Sequence, residues 1–178
     1  MVVDKKEPIF GRKHDTDKIC LMLQQSEYRL ISLVGSGGIG KTHLARQIAE
    51  QVQANFADGV CFVSLQPLKS VDFIVPTLLE ALGQAVQGAI DATVQLQRYL
   101  RDKQILLILD NFEHLLSATD EIVALLDIAS DIKILVTSRE ILNVSQEWVW
   151  TLTGLAFPQA MTDDTNPLQY SAVEMFIA

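Results

Sequence analysis

Residues 30–49 read LISLVGSGGIGKTHLARQIA: an apolar run, then four glycines within six positions, a Lys-Thr pair, and apolar residues at helical spacing. A strand that breaks into glycines and then turns helical is the form of a phosphate-binding loop, and Gly35 to Thr42 (GSGGIGKT) fits G-x-x-x-x-G-K-[ST]. Gly35, Gly37, Gly38 and Gly40 are expected to take positive φ and to leave no Cβ in the way, so that successive N–H groups face one anion. A helix beginning near Lys41 adds its positive N-terminal end to the same anion. Lys41 would reach the β- and γ-phosphates as a point charge, and the Thr42 hydroxyl would take one Mg²⁺ position. The expected cofactor-binding run is Gly35, Ser36, Gly37, Gly38, Ile39, Gly40, Lys41, Thr42 and His43, although the side chain of His43 reads as helix surface. The loop implies a nucleoside triphosphate and leaves its use open.

After the first β-rich apolar run at 30–34, others follow at 60–65, 105–109, 134–136 and 148–152. Between the first four runs lie helical spacings: Leu44, Ile48 and Val52; Ile74, Leu78, Leu79 and Leu82 with Leu96 and Leu100; and Leu115, Ile122, Leu125 and Leu126. Strands alternating with helices imply right-handed crossovers and a parallel sheet covered on both faces. Continuous runs such as ILLIL fit strands buried on both sides. The pattern predicts a three-layer α/β fold without reference to any motif.

The run ILLILDNFEHLL, residues 105–116, carries Asp110 to the end of an apolar strand. Ligands of open α/β sheets sit beyond the carboxyl ends of the strands, so Asp110 and the glycine loop are expected to meet, with Asp110 beside Mg²⁺. The alternative is an Asp that caps the next helix. Asn111 follows it where many ATPases carry a second acid. An amide can orient water but cannot take its proton, which leaves Glu113 as the nearest carboxylate for hydrolysis, or as a first-turn helix residue stabilised by the dipole. Slow hydrolysis is expected, if any. A third run, IKILVTSRE at 132–140, ends in polar residues. Before the first strand, Ile9 and Phe10 precede Gly11 and Arg12 and offer apolar contacts for an adenine ring. On physics alone this segment is a turn leading into an amphipathic helix with Ile19, Leu21, Met22 and Leu23.

The 178 residues, 49% of them hydrophobic, suit one ordinary domain, and a formal net charge of -8 argues against a basic nucleic-acid surface. Cys20 and Cys61 lack metal-ligand spacing and read as buried free thiols in a reducing cytosol. No run reaches the roughly 18 to 20 apolar residues of a membrane span, so the chain reads as cytoplasmic. Trp148 and Trp150 alternate on a strand and are expected to pack on a helix. Composition changes near residue 158: QAMTDDTNP is polar, and then helical spacing resumes to the last residue, as in a helical domain cut short. The expected division is a nucleotide-binding domain at 1–157, and a linker with the start of a helical domain at 158–178.

With FGR, GSGGIGKT, LLILDNFEHLL and ILVTSRE in this order, the chain resembles the STAND class of P-loop ATPases. It is most similar to the NB-ARC or apoptotic-ATPase type of bacterial multidomain regulators. The resemblance implies a P-loop NTPase sheet ordered 5-1-4-3-2, ATP or ADP held with Mg²⁺, and an ADP-bound resting state. Exchange would then open the protein and permit homo-oligomerisation, with helical and winged-helix domains following. By position, it implies phosphate binding at Gly38, Gly40, Lys41 and Thr42, Mg²⁺ at Thr42 and Asp110, and adenine contact at Phe10, Gly11 and Arg12. It puts Thr137, Ser138 and Arg139 near the γ-phosphate, with Arg139 distinguishing triphosphate from diphosphate. Lys41, Asp110, Asn111, Glu113 and Arg139 form the expected catalytic set. Three uses remain open: a slow regulatory switch, a fast motor or loader ATPase, and a non-hydrolysing interaction module. Direct nucleic-acid or membrane binding by this stretch is not expected.

Overall fold

A computed structural model describes residues 11–88 and 90–154. Phe10 and residues 158–178, expected to contact adenine and to begin a second domain, lie outside the described residues. Five strands, β1 (Leu30–Val34), β2 (Val60–Ser64), β3 (Leu106–Asp110), β4 (Lys133–Ser138) and β5 (Glu147–Thr151), form one sheet in the order β2-β3-β4-β1-β5. Read from the other edge this is 5-1-4-3-2, and every pairing is parallel. The glycine-loop strand is therefore central, with β4 between it and β3.

Two apolar layers follow from the period-2 alternation of buried strands. Leu106, Ile108 and Leu135 join Ile31 and Leu33 against α1 (Lys13–Met22) and α2 (Lys41–Val52) through Ile19, Leu44 and Ile48. Leu107, Leu109, Ile134 and Val136 face α3 (Ile74–Ala81), α4 (Ala92–Leu100) and α5 (Thr119–Ile128) through Leu78, Leu96, Leu100, Ile122 and Leu125. All of β3 is buried, as the unbroken ILLIL run predicts.

Three local readings change. The helical spacing from Ile74 to Leu100 is two helices: Gly83 takes a left-handed φ of 72° just after α3, and Asp91 caps α4 by accepting from the N–H groups of Thr93 and Val94 at 2.9 and 3.2 Å. In α1, Ile19 is buried and so is Leu23 at the helix end, whereas Leu21, midway between them in sequence, lies on the other side and is exposed. Strand β4 runs on through Thr137 and Ser138, both fully buried. Arg29 closes the far end of α5 by donating to the carbonyls of Leu126 and Ala129.

Candidate functional site

The loop leaves β1 at its C-terminal edge and enters α2 through Gly40, whose φ of 97° is left-handed. No side chain caps α2, so its first N–H groups stay open toward the loop. Of the four loop glycines, Gly38 and Gly40 have positive φ; Gly35 and Gly37 do not, contrary to the expectation for all four. Close approach sets Gly35, while Gly37 has only the Arg139 side chain near it. A methyl on Gly35 would stand 3.1 Å from Ile39 Cγ2 and from the Leu152 carbonyl, and one on Gly37 would stand 3.4 Å from Arg139 Cζ. Lys41 is buried, and its Nζ donates to the carbonyls of Gly35 at 2.7 Å and Ser36 at 3.0 Å. Burial draws its pKa below the ordinary lysine value. Glu113 opposes that shift, Arg139 adds to it and Asp110 opposes it. His43 is exposed on α2.

Strand β3 delivers Asp110 to the same edge, buried at 3% exposure. Its Oδ1 accepts from Thr42 Oγ1 at 2.8 Å and from Thr137 Oγ1 at 2.6 Å. Asp110 is not a helix cap: the turn after it starts from Asn111 without a side-chain cap. Residues separated widely in sequence meet because Leu109 pairs with Val136, which puts Asp110 abreast of Thr137 on the α2 face. Thr137 also accepts from the Asn111 N–H at 2.9 Å. Its parity with buried Leu135 is the signal that could have identified it as a support for Asp110. Asn111 itself has a φ of 65°, a conformation Asn tolerates better than most residues. This is a backbone reason for Asn at a position read only for its chemistry.

Glu113 and Arg139 also come together. Arg139 Nε lies 3.0 Å from Glu113 Oε1, with the Arg139 side chain 63% exposed and that of Glu113 only 17%. The second carboxylate oxygen of Glu113, Oε2, is buried and has no hydrogen-bond partner among the described residues. Glu113 is therefore not a free helix-surface acid. Ser138 is turned to local structure: its Oγ accepts from the Glu140 N–H at 3.1 Å and its carbonyl from the Gly35 N–H at 3.3 Å.

The N-terminal segment is arranged differently. Gly11 has a φ of 68°. Arg12 is buried, donating through Nη2 to the carbonyls of Ile39 at 3.1 Å and Thr153 at 2.7 Å, and through Nη1 to Asp15 Oδ2 at 3.2 Å. Asp15 Oδ1 in turn accepts from Trp150 Nε1 at 3.1 Å. Arg12 thus fastens α1 to the loop and to the chain just after β5. Trp150 meets α1 as expected, while Trp148 stays half exposed with its ring edge-on to Tyr28.

The donor set suits a phosphate with a hard cation. Open N–H groups and a lysine converge at the loop, and the hydroxyl and carboxylate oxygens of Thr42 and Asp110 lie within hydrogen-bond distance of each other. Among the described residues no group of three or more His, Cys, Asp and Glu could cage a metal alone. A Mg²⁺ ion here would draw its remaining ligands from phosphate and water.

Comparison with known proteins agrees with this geometry. The NB-ARC domain family matches residues 12–154. A Mycobacterium tuberculosis protein provisionally named an HTH-type transcriptional regulator is 35% identical over 152 residues, covering 85% of this chain and 16% of the relative. An uncharacterised protein of the same organism is 33% identical over 168 residues, covering 94% of this chain and 39% of the relative. The chain thus spans well under half the length of either. Among solved structures, Cdc6p from Pyrobaculum aerophilum superposes with a TM-score of 0.67 at 14% identity, over 85% of this chain and 48% of that one, a likeness of fold.

Proposed function

We propose that this chain, which belongs to the NB-ARC family, is the nucleotide-state switch of a longer regulator, binding ATP or ADP with Mg²⁺ and hydrolysing ATP slowly. The observation that carries the reading is the convergence of Lys41, Thr42, Asp110 and Arg139 on one loop, joined through Thr137 and Glu113. In this reading the loop N–H groups and Lys41 hold the phosphates, and Thr42 and Asp110 hold Mg²⁺, which would neutralise phosphate charge when bound. Arg139, beside Gly37, answers to the γ-phosphate. Moving a switch from mostly closed to mostly open takes about 5.5 kcal/mol of differential binding, and a phosphate that engages two cationic side chains is a suitable source.

The role of Arg12 in this reading is to hold the loop rather than to meet adenine, because its donors are engaged with backbone carbonyls and Asp15. The nucleotide domain is assigned to residues 1–157, and residues 158–178 lead into the helical and winged-helix domains of the full-length protein. Opening and homo-oligomerisation belong to that whole protein, as does control of transcription, the role carried by the name of the mycobacterial relative. A cytoplasmic setting fits two buried free thiols, and no described helix is long and apolar enough to cross a membrane.

The test is to denature purified protein and identify the nucleotide released, alongside thermal shifts with Mg-ATP and ADP. ADP in the supernatant and a stabilising shift are expected. No released nucleotide together with no shift would remove the proposal. Turnover of many ATP per second would instead favour the motor or loader reading.

A further inference from the structure

Glu113 holds Arg139 beside the glycine loop. The ion pair spans 3.0 Å, and the Arg139 guanidinium lies 3.4 Å from where a Cβ on Gly37 of the loop would stand. The two ends of the pair are unequal. Arg139 is mostly in solvent, whereas Glu113 is largely buried and has one carboxylate oxygen without a partner among the described residues. A desolvated carboxylate keeps its remaining cation more firmly than an exposed one, so the pair selects a position for the arginine rather than decorating the surface. Its neighbours are arranged to match. Lys41 is occupied by the Gly35 and Ser36 carbonyls, and Asp110 by two hydroxyls, so neither holds Arg139.

We infer that Glu113 is a positioning residue that sets the site's preference between triphosphate and diphosphate, by competing with the terminal phosphate for Arg139. The inference rests on the switch reading above. A diphosphate leaves the pair intact. A triphosphate must take Arg139 from Glu113, so part of its extra binding free energy is spent in breaking the pair, and its advantage over the diphosphate is correspondingly smaller. The threshold at which the switch responds to triphosphate is then written in the strength of one ion pair. The like-charge alternative, in which Glu113 merely repels the terminal phosphate, does not need Arg139 and is separable on that ground.

The experiment is calorimetric titration of the whole chain with Mg-ADP and with a non-hydrolysable ATP analogue and Mg²⁺, for wild type, Glu113→Gln, Arg139→Ala and the double variant. Gln keeps the shape of Glu, and thermal melts check that each protein is folded. Glu113→Gln is expected to tighten analogue binding about fivefold, the scale of one partly exposed ion pair, and to leave ADP affinity unchanged. In the Arg139→Ala background the same change should have no effect. An unchanged affinity ratio in Glu113→Gln overturns the inference while leaving the switch intact, and so does a gain that persists without Arg139. Wild-type protein that binds neither nucleotide overturns both.

Discussion

Two arginines, at opposite flanks of the same loop, divide the molecule into a part that is held and a part that can respond. Arg12 is buried, and its guanidinium reaches Ile39, Thr153 and Asp15, with Asp15 passing the connection to Trp150. Arg139 is mainly exposed and paired to a single buried acid. Both carry the same charge within reach of a phosphate-binding loop, yet only Arg139 can change partners by giving up a single ion pair. A buried guanidinium tied to two backbone carbonyls and a carboxylate must give up all three to leave, whereas one in solvent exchanges one partner for another. Proximity to a ligand site therefore says little about a cation's role until its existing bonds are counted.

The comparison breaks most visibly at Arg12. Arg12→Ala should cost about 3 kcal/mol of folding stability, because it leaves the Ile39 and Thr153 carbonyls without their charged donor, and urea unfolding would measure it. The same protein should keep the wild-type ratio of triphosphate to diphosphate affinity. Arg139→Ala should show the inverse. Stability should change by less than about 1 kcal/mol, and affinity for the triphosphate analogue should fall about tenfold with little effect on ADP. If Arg12→Ala altered the ratio and Arg139→Ala did not, the division would be reversed.

Smaller changes sharpen each side. Trp150→Phe removes the Nε1 donor to Asp15 while keeping an aromatic ring, and should cost about 1 kcal/mol in urea unfolding with no shift in nucleotide preference. Gly37→Ala tests the other side at lower cost. The backbone there has no positive φ, and the added methyl would touch Arg139 at 3.4 Å, so stability should move by only about 0.5 kcal/mol. The affinity ratio should nonetheless change by about twofold, read by the same titrations, because the methyl narrows the space in which the guanidinium turns beside the loop.

Much of this was legible before any coordinates. Strand and helix alternation located the sheet, and continuous apolar runs identified strands buried on both faces. The placement of Asp110 at a strand end put it at the loop. The break between α3 and α4 is marked by Gly83 and by Asp91 ahead of Ala92, signals that the spacing of the leucines does not carry. Other features had no local signature. Nothing in PIFGRKHD shows that Arg12 will reach a carbonyl far along the chain at Thr153. The side-chain chemistry of Asn111, an amide that can orient water but not take its proton, is visible in one dimension, and its left-handed backbone is not.

The sequence by itself determined the class of this protein: apolar periodicity needs only nearest neighbours along the chain, and the glycine, lysine and threonine spacing is a local backbone requirement. The tertiary structure alone decided which polar groups are engaged and which remain exchangeable. Parallel pairing of β3 with β4 brings Thr137 under Asp110, and the loops that leave those strands set Glu113 against Arg139. Hydrogen bonds and ion pairs act over a few ångströms in space, so residues distant in sequence acquire their roles only when the sheet register has been set.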